Sequence, residues 1–322
     1  MAHGLEPRGI WMADDFGRGA FALSAGVCAF AEAMARFVRH HHDSVAIFAT
    51  TCDQMRRSFD TLAAAERDRA FLFNVPATWQ SPAGLRIYRA ELERLGRFLE
   101  ARGGRRPTAE VLARIVEQRG QARQRLIETS THCSAREFAE AIARFHWDGS
   151  VCSPDHPAPP SSSIPLAIVG GPLLPSHWDL LDTLEAAGAR VVLNATENGE
   201  RSLLPAFPGE CSCRDNSMTH MRHLTVQDNP AHALAGFYFA NCVDVFQRPN
   251  SRLYTWLGER LTARAVRGIV LWVYTGCDLW RAEAQTLRET FSLPVLLLEA
   301  DEAQPRSPRH LGRIQAFIET LR

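Results

Sequence analysis

Lysine is absent from the 322-residue sequence, so arginine supplies every basic side chain other than histidine. A Walker-type phosphate loop and a pyridoxal Schiff base both require a lysine amine. The absence therefore excludes nucleotide hydrolysis by a standard phosphate loop and excludes pyridoxal chemistry. Any ATP-driven step must be carried out by another chain.

An excess of charge of either sign is also absent, because 36 acidic residues balance 36 basic ones. This balance gives no electrostatic reason to expect nucleic acid or an anionic membrane as a partner. No stretch approaches the roughly 18 apolar residues of a membrane span, and the opening residues lack the apolar core of a secretory signal. We expect a cytoplasmic protein, in which the eight cysteines do not form a disulfide framework.

The sequence does contain apolar runs that alternate with helical patterns, which is typical of parallel sheets covered by helices. It predicts an α/β fold with two Rossmann- or flavodoxin-like parallel-sheet domains. The N-terminal domain spans 1–150 and carries a helical insertion over 83–147. The C-terminal domain spans 164–322. The boundary lies in GSVCSPDHPAPPSSS, 149–163, where proline and serine interrupt any apolar periodicity.

A Thr-x-Cys-Asp sequence follows an apolar strand pattern twice, as TTCD at 50–53 and as TGCD at 275–278, and a helical pattern follows each. Functional groups collect at the carboxyl ends of parallel strands, and a helix N-terminus stabilises a thiolate. Cys52 and Cys277 are therefore candidate metal ligands or nucleophiles. No glycine-rich anion-binding loop ending in arginine follows either cysteine, so a pair of ligands is the favoured interpretation.

Cys28 is a candidate third ligand because it lies shortly before the first strand, although spacing alone does not establish the set. Four of the other cysteines are expected to be buried apolar residues or exposed thiols. The cysteines with this expectation are Cys133, Cys152, Cys211 and Cys213. The pair Cys211 and Cys213 is a weak metal signal.

Three further features have both a functional and a structural interpretation. Glu283, on the helix after Cys277, is a candidate for proton transfer, with an exposed helix position as the alternative. Gly170 and Gly171 follow a strand and could let a CoA phosphate approach the backbone, although no full glycine motif is present. The histidines at 40–42 suit a solvated helix end better than a metal site.

The chain resembles the D-component of the 2-hydroxyacyl-CoA dehydratase superfamily, which also contains benzoyl-CoA reductase subunits. The resemblance rests on Cys28, TTCDQMRR, FNVPAT, YRAELERLGRFLE, IVGGPLLPSHWDLLDTLEAAGARVV and VRGIVLWVYTGCD in this order, and it covers nearly the whole chain. It implies that Cys28, Cys52 and Cys277 hold a 4Fe-4S cluster with one open iron at the domain interface. The chain is short for the family before Cys28, so fewer substrate contacts are expected there.

The resemblance also implies radical chemistry on an acyl-CoA thioester under anaerobic conditions. An electron forms a ketyl radical anion that loses the neighbouring hydroxyl or, in the reductases, is reduced further. The electron comes from an ATP-dependent iron–sulfur activator protein, and a homologous second subunit completes the enzyme. One alternative is an electron-transfer or accessory subunit without its own acyl-CoA site. In a double-cubane type of this kind, Cys242, Cys211 and Cys213 would add ligands. The remaining alternative is a cluster-free structural partner.

Overall fold

The computed structural model describes residues 3–9, 27–130, 133–151, 162–205, 230–300 and 308–322. Within these ranges the chain forms six strands, which are β1 (Ala46–Ala49), β2 (Ala70–Phe73), β3 (Ile164–Gly170), β4 (Ala189–Thr196), β5 (Gly268–Tyr274) and β6 (Val295–Ala300). The α-helices of the same ranges are α1 (Ala29–His40), α2 (Asp53–Asp60), α3 (Ala64–Asp68), α4 (Pro82–Glu100), α5 (Ala109–Thr129), α6 (Ala135–Trp147), α7 (Asp179–Ala186), α8 (Pro230–Ala240), α9 (Ser251–Ala263), α10 (Asp278–Phe291) and α11 (Pro308–Thr320).

The strands form two sheets, and every pair of neighbouring strands is parallel. One sheet contains β1 and β2, and the other has the order β4-β3-β5-β6. All seven residues of β5 are buried, as expected for an apolar strand in the middle of a sheet covered on both faces. The two parallel sheets confirm the predicted fold class.

The order of the larger sheet places a topological switch between β3 and β5. The chain passes from β3 to β4 on one side, and β5 then pairs with β3 on the other side. In open parallel sheets the crevice at such a switch, beyond the carboxyl ends of the strands, is the usual place for a ligand site. The residues that follow β3 and β5 therefore lie at the edge where a site is expected.

The smaller sheet is covered unequally on its two faces. Phe48 of β1 is fully buried and makes an edge-to-face contact with Phe59 of α2. Ile47, the preceding residue, is 45% exposed. Because successive strand side chains point to opposite faces, α2 packs on the Phe48 face while the Ile47 face borders open space.

The predicted helical insertion is confirmed as three helices, α4, α5 and α6. Each starts at a hydroxyl side chain that accepts a hydrogen bond from a first-turn N–H group, and these N-cap residues are Ser81, Thr108 and Ser134. Such caps satisfy N–H groups that have no partner within the helix. Local sequence chemistry is therefore enough to fix where these helices begin.

Side chains from both sides of the predicted boundary share one core. Ala31 of α1 and Phe48 of β1 belong to the same buried cluster as Leu166 of β3 and Trp272 of β5. Much of the boundary segment lies outside the described residues, so the division into two domains stays a prediction. Among the helices described, none has the length and apolar character needed to cross a membrane.

Candidate functional site

Cys28, Cys52 and Cys277 each immediately precede the first residue of a helix, namely α1, α2 and α10. Cys52 follows β1 and Cys277 follows β5 within three residues of the strand end. The structure therefore confirms that both Thr-x-Cys-Asp sequences form strand-to-helix turns. It shows Cys28 at a third helix start.

Cys28 lies between the two turns. Its backbone N–H donates a hydrogen bond of 2.9 Å to Oε1 of Gln54, in the first turn of α2. Gly276 has a φ of +84°, and a Cβ atom at its position would lie 3.8 Å from Cβ of Cys28. A left-handed φ favours glycine, so Gly276 permits the second turn to adopt its path beside Cys28. The three cysteine-bearing turns thus meet although they are distant in sequence.

Burial dominates the protonation chemistry of the three thiols. It raises the pKa of Cys52 to about 12 and that of Cys277 to about 11, and it also raises the pKa of Cys28. The backbone N–H groups of Met55 and Trp280 act in the opposite direction, since they stabilise the thiolates of Cys52 and Cys277. Cys28 raises the pKa of both other thiols, so its sulfur interacts electrostatically with each of them.

The donor groups of this arrangement are thiols. In the part of the chain that the structure describes, no three His, Cys, Asp or Glu side chains are close enough to hold one metal ion. An iron–sulfur cluster differs because each thiolate binds a separate iron, and thiolates are its usual ligands. Three thiols, of which Cys28 is buried and Cys52 and Cys277 are partly buried, are compatible with that kind of group.

Glu197 is a site residue that the sequence interpretation missed. It follows the last residue of β4, and its N–H donates a hydrogen bond of 3.3 Å to the carbonyl of Gly171. Its carboxylate raises the pKa of the thiols of Cys28, Cys52 and Cys277. The strand-end rule that identified Cys52 and Cys277 applies equally to Glu197, so the signal was present after the ARVVLNA strand.

Arg201 holds the loops behind Glu197 together. Its buried guanidinium donates hydrogen bonds of 2.8 Å to the carbonyls of Ala195 and Gly170. It also donates one of 2.8 Å to Oδ2 of Asp244, and it lies 4.7 Å from the ring centre of Trp280 in α10. One side chain therefore connects the ends of β3 and β4, the Asp244 loop and the first turn of the helix that starts after Cys277.

The carboxyl of Glu197 has a pKa above its ordinary value. Burial is the main cause, the carboxylate of Asp244 adds to it, and the guanidinium of Arg201 opposes both. Protein atoms surround the carboxyl, yet its side chain is solvent-accessible because it borders an open cavity.

The cavity that Glu197 borders has a volume of about 430 Å³. Thr51 and Met55 place one end of it beside the Cys52 turn. Its wall is largely apolar and includes Phe30, Met34, Ile47 and Leu99. A concave, mostly apolar space with a few polar groups is the usual form of a small-molecule site. We call it the β1 cavity.

Gly170 has a packing role that explains its presence. Its φ is +143°, and a Cβ atom there would lie 1.9 Å from the carbonyl oxygen of Trp272, a separation that no side chain can accept. At Gly171 a Cβ atom would meet only Cδ1 of Trp280, at 3.8 Å, which is an ordinary contact. Close approach of β3 and β5 accounts for Gly170, while the binding of a CoA phosphate by either glycine stays a prediction.

Glu283 is buried and engaged elsewhere. Its side chain accepts hydrogen bonds from Nδ2 of Asn250 at 3.0 Å and from Oη of Tyr254 at 2.5 Å, both at or in α9. The expectation that it occupies an exposed helix position is wrong, because α9 covers this face of α10. Its proposed role in proton transfer stays a prediction, and its described partners belong to the α9–α10 contact.

Of the remaining cysteines, the structure describes Cys133, which is buried, and Cys242, which is partly buried. Cys133 is buried beside Leu126 and Phe138, as expected for an apolar role. Burial, with a further contribution from Asp244, raises the pKa of Cys242 to about 12. Cys152, Cys211 and Cys213 lie outside the described residues, so the larger cluster that would use Cys211, Cys213 and Cys242 stays a prediction.

Comparison with known proteins gives one family. The family model described as 2-hydroxyglutaryl-CoA dehydratase, D-component, matches residues 4–146 and 136–321. These two segments together cover nearly the whole chain. A search among curated proteins finds no match.

Proposed function

The chain belongs to the 2-hydroxyglutaryl-CoA dehydratase D-component family, and we propose that it is the iron–sulfur subunit of a 2-hydroxyacyl-CoA dehydratase-like enzyme. The family itself makes the chain a component of a dehydratase-like enzyme. The observation that carries the finer proposal is the meeting of Cys28, Cys52 and Cys277 at three helix starts. The reaction is the loss of water from an acyl-CoA thioester or, as in the related reductases, its reduction.

In this proposal the three cysteines hold a 4Fe-4S cluster. Such a group, when bound, supplies a low-potential electron and an open iron that polarises a thioester carbonyl. Because the thiols have raised pKa values, ligation releases protons, and cluster binding is expected to strengthen as the pH rises. The first-turn N–H groups near each sulfur stabilise the thiolate that ligation requires.

The chain's own polar groups would orient the substrate. Glu197 borders the β1 cavity beside the Cys52 turn, whereas Glu283 is hydrogen-bonded to Tyr254 and Asn250. Glu197 is therefore better placed than Glu283 to hydrogen-bond a ligand in this cavity. Arg201 positions Glu197 indirectly, because it binds the neighbouring carbonyl of Ala195 and the carboxylate of Asp244.

The partners follow from the family and from the missing lysine. A D-component implies a partner component, which we propose to be a homologous second subunit, and an acyl-CoA substrate. Since the sequence has no lysine for a phosphate loop, we propose that a separate ATP-dependent iron–sulfur activator protein supplies the electron.

Anaerobic purification and reconstitution test the cluster. We expect iron, acid-labile sulfide and an EPR signal in the wild-type chain after reduction. Single substitutions Cys28→Ser, Cys52→Ser and Cys277→Ser should each lower iron and sulfide content severalfold. Cys133→Ser is the matched control, because that buried thiol packs beside Leu126 and Phe138.

Two results would contradict the proposal. One is a wild-type chain that takes up neither iron nor sulfide without oxygen. The other is equal cluster content in all four serine variants. Assays with a 2-hydroxyacyl-CoA and with an aromatic acyl-CoA, in the presence of the second subunit and the activator, separate dehydration from reduction.

A further inference from the structure

The β1 cavity has an apolar wall that the described part of the fold leaves open to solvent. Four large hydrophobic side chains are exposed among the described residues, and two of them, Val45 and Ile47, line this cavity. Ile47 lies on the face of β1 opposite Phe48, which is packed on α2, and Val45 immediately precedes the strand. Exposed apolar surface that lines a concave space points to a ligand with an apolar part.

Acidic side chains outnumber arginine among the residues that line the cavity. Two carboxylates, Glu6 and Glu197, one guanidinium, Arg8, and the imidazole of His3 line it. Arg8 is paired with Glu6 at 3.1 Å and lies 4.8 Å from the ring centre of Trp147. The positive charge of Arg8 is therefore already offset, and Glu197 leaves an acidic excess.

We propose that the β1 cavity binds the acyl group of the thioester and selects an apolar acyl group over one that carries a second carboxylate. This inference rests on the proposed function, because it assumes that the substrate is an acyl-CoA. It differs from the substrate in the family's description, which is a dicarboxylic acyl group, 2-hydroxyglutaryl.

Two physical costs oppose a second carboxylate in this cavity. A charged carboxylate that enters an apolar wall loses hydration unless it gains a partner, and Arg8 already has one in Glu6. Glu197 would in addition repel a second negative charge. A branched or aromatic acyl group avoids both costs, and it covers the exposed side chains of Val45 and Ile47. The volume of about 430 Å³ lies within the usual range for such ligands.

Binding of three thioester probes tests the inference. The full-length chain, purified anaerobically, is titrated by calorimetry with 2-hydroxy-4-methylpentanoyl-CoA, with 2-hydroxyglutaryl-CoA and with free CoA. We expect the branched apolar thioester to bind at least about tenfold more tightly than the dicarboxylic one, which is the scale of discrimination that an apolar pocket achieves. Free CoA reports the contribution of the carrier alone.

Two isoleucines give a matched pair of variants. Ile47 lines the cavity and Ile87 of α4 is not among its lining residues, yet both are 45% exposed. Ile47→Glu should weaken the branched thioester at least about tenfold and leave free CoA unchanged. Ile87→Glu should change neither. Arg8→Gln tests whether this cavity-lining guanidinium holds a second carboxylate.

Three outcomes would overturn the inference. The first is equal or tighter binding of the dicarboxylic thioester, above all if Arg8→Gln removes that binding. The second is an equal effect of Ile47→Glu and Ile87→Glu, which would place the acyl group elsewhere. The third is binding of every thioester no better than free CoA. In each case iron and sulfide content still reports on the proposed function independently.

Discussion

The two Thr-x-Cys-Asp turns have similar sequences and different surroundings. The turn at 50–53 follows β1, a four-residue strand with one exposed face in a two-stranded sheet. The turn at 275–278 follows β5, a seven-residue strand that is wholly buried in the middle of a four-stranded sheet. The same local pattern therefore lies beside an open cavity where it follows β1, and at the end of a fully buried strand where it follows β5.

Because β5 is buried in the middle of the larger sheet, a small change where β3 meets β5 should have the largest effect on the free energy of unfolding. Gly170→Ala places a methyl group against the carbonyl of Trp272 at a left-handed φ. We expect a loss of about 4 kcal/mol or more in the free energy of unfolding. Chemical denaturation measures this loss, or the soluble yield reports it if the variant does not fold.

Gly171→Ala is the control for that substitution, because its added methyl group meets only Cδ1 of Trp280 at an ordinary distance. We expect it to fold with a change below about 1 kcal/mol. Equal stability of the two alanine variants would show that β3 and β5 are not held as closely as described.

Substitution of two arginines compares how much the loops at the strand ends of the larger sheet and the far end of the smaller sheet contribute to stability. Arg201→Gln removes a buried charge that bonds two strand ends and Asp244. We expect a loss of about 3 kcal/mol, because Asp244 would lose its ionic partner. Arg69 lies at the far end of the smaller sheet, where it donates hydrogen bonds to the carbonyls of Val38, His41 and Ser44 and contacts Nδ1 of His42 at 3.4 Å.

Arg69→Gln should therefore cost about 1 kcal/mol and leave the cysteine turns unchanged. Urea denaturation of both variants, with cluster content as a second measurement, separates these roles. The comparison between the two sides fails if Arg69→Gln lowers cluster content as much as Arg201→Gln does.

Two histidines give a smaller effect, which appears in the dependence of stability on pH. Burial lowers the pKa of His177 to about 4, with a smaller contribution from His310, and burial also lowers that of His146 to about 4. The unfolded pKa is about 6.5, so the unfolded chain binds more protons between pH 6.5 and pH 4. Stability is therefore lost as the pH falls through this window.

For His177, which is 2% exposed, the expected loss is about 2 kcal/mol between pH 7 and pH 5. His177→Gln should flatten the stability curve by this amount. His146→Gln should flatten it less, because His146 is only partly buried. An unchanged slope in His177→Gln would contradict the assignment of a neutral buried imidazole, and urea denaturation at each pH gives the measurement.

The sequence predicted features whose signal is local. The positions of Cys52 and Cys277 follow from an apolar run, a turn and a helical pattern, and the start of α5 follows from the Thr108 cap. The burial of Glu283 depends on Tyr254 in another helix, so no local pattern reveals it. The exposure of Ile47 could not be predicted from the sequence either, because a short apolar run is typical of a strand covered on both faces.

The contact between Cys28 and Gly276 joins residues separated by most of the sequence. During synthesis the Cys28 and Cys52 turns leave the ribosome long before the Cys277 turn exists. Contacts of such high sequence separation form slowly, because a long loop must close before they contribute stability. All three thiols are present only once the Cys277 turn has been synthesised, so a cofactor that needs all three can be bound only after that point.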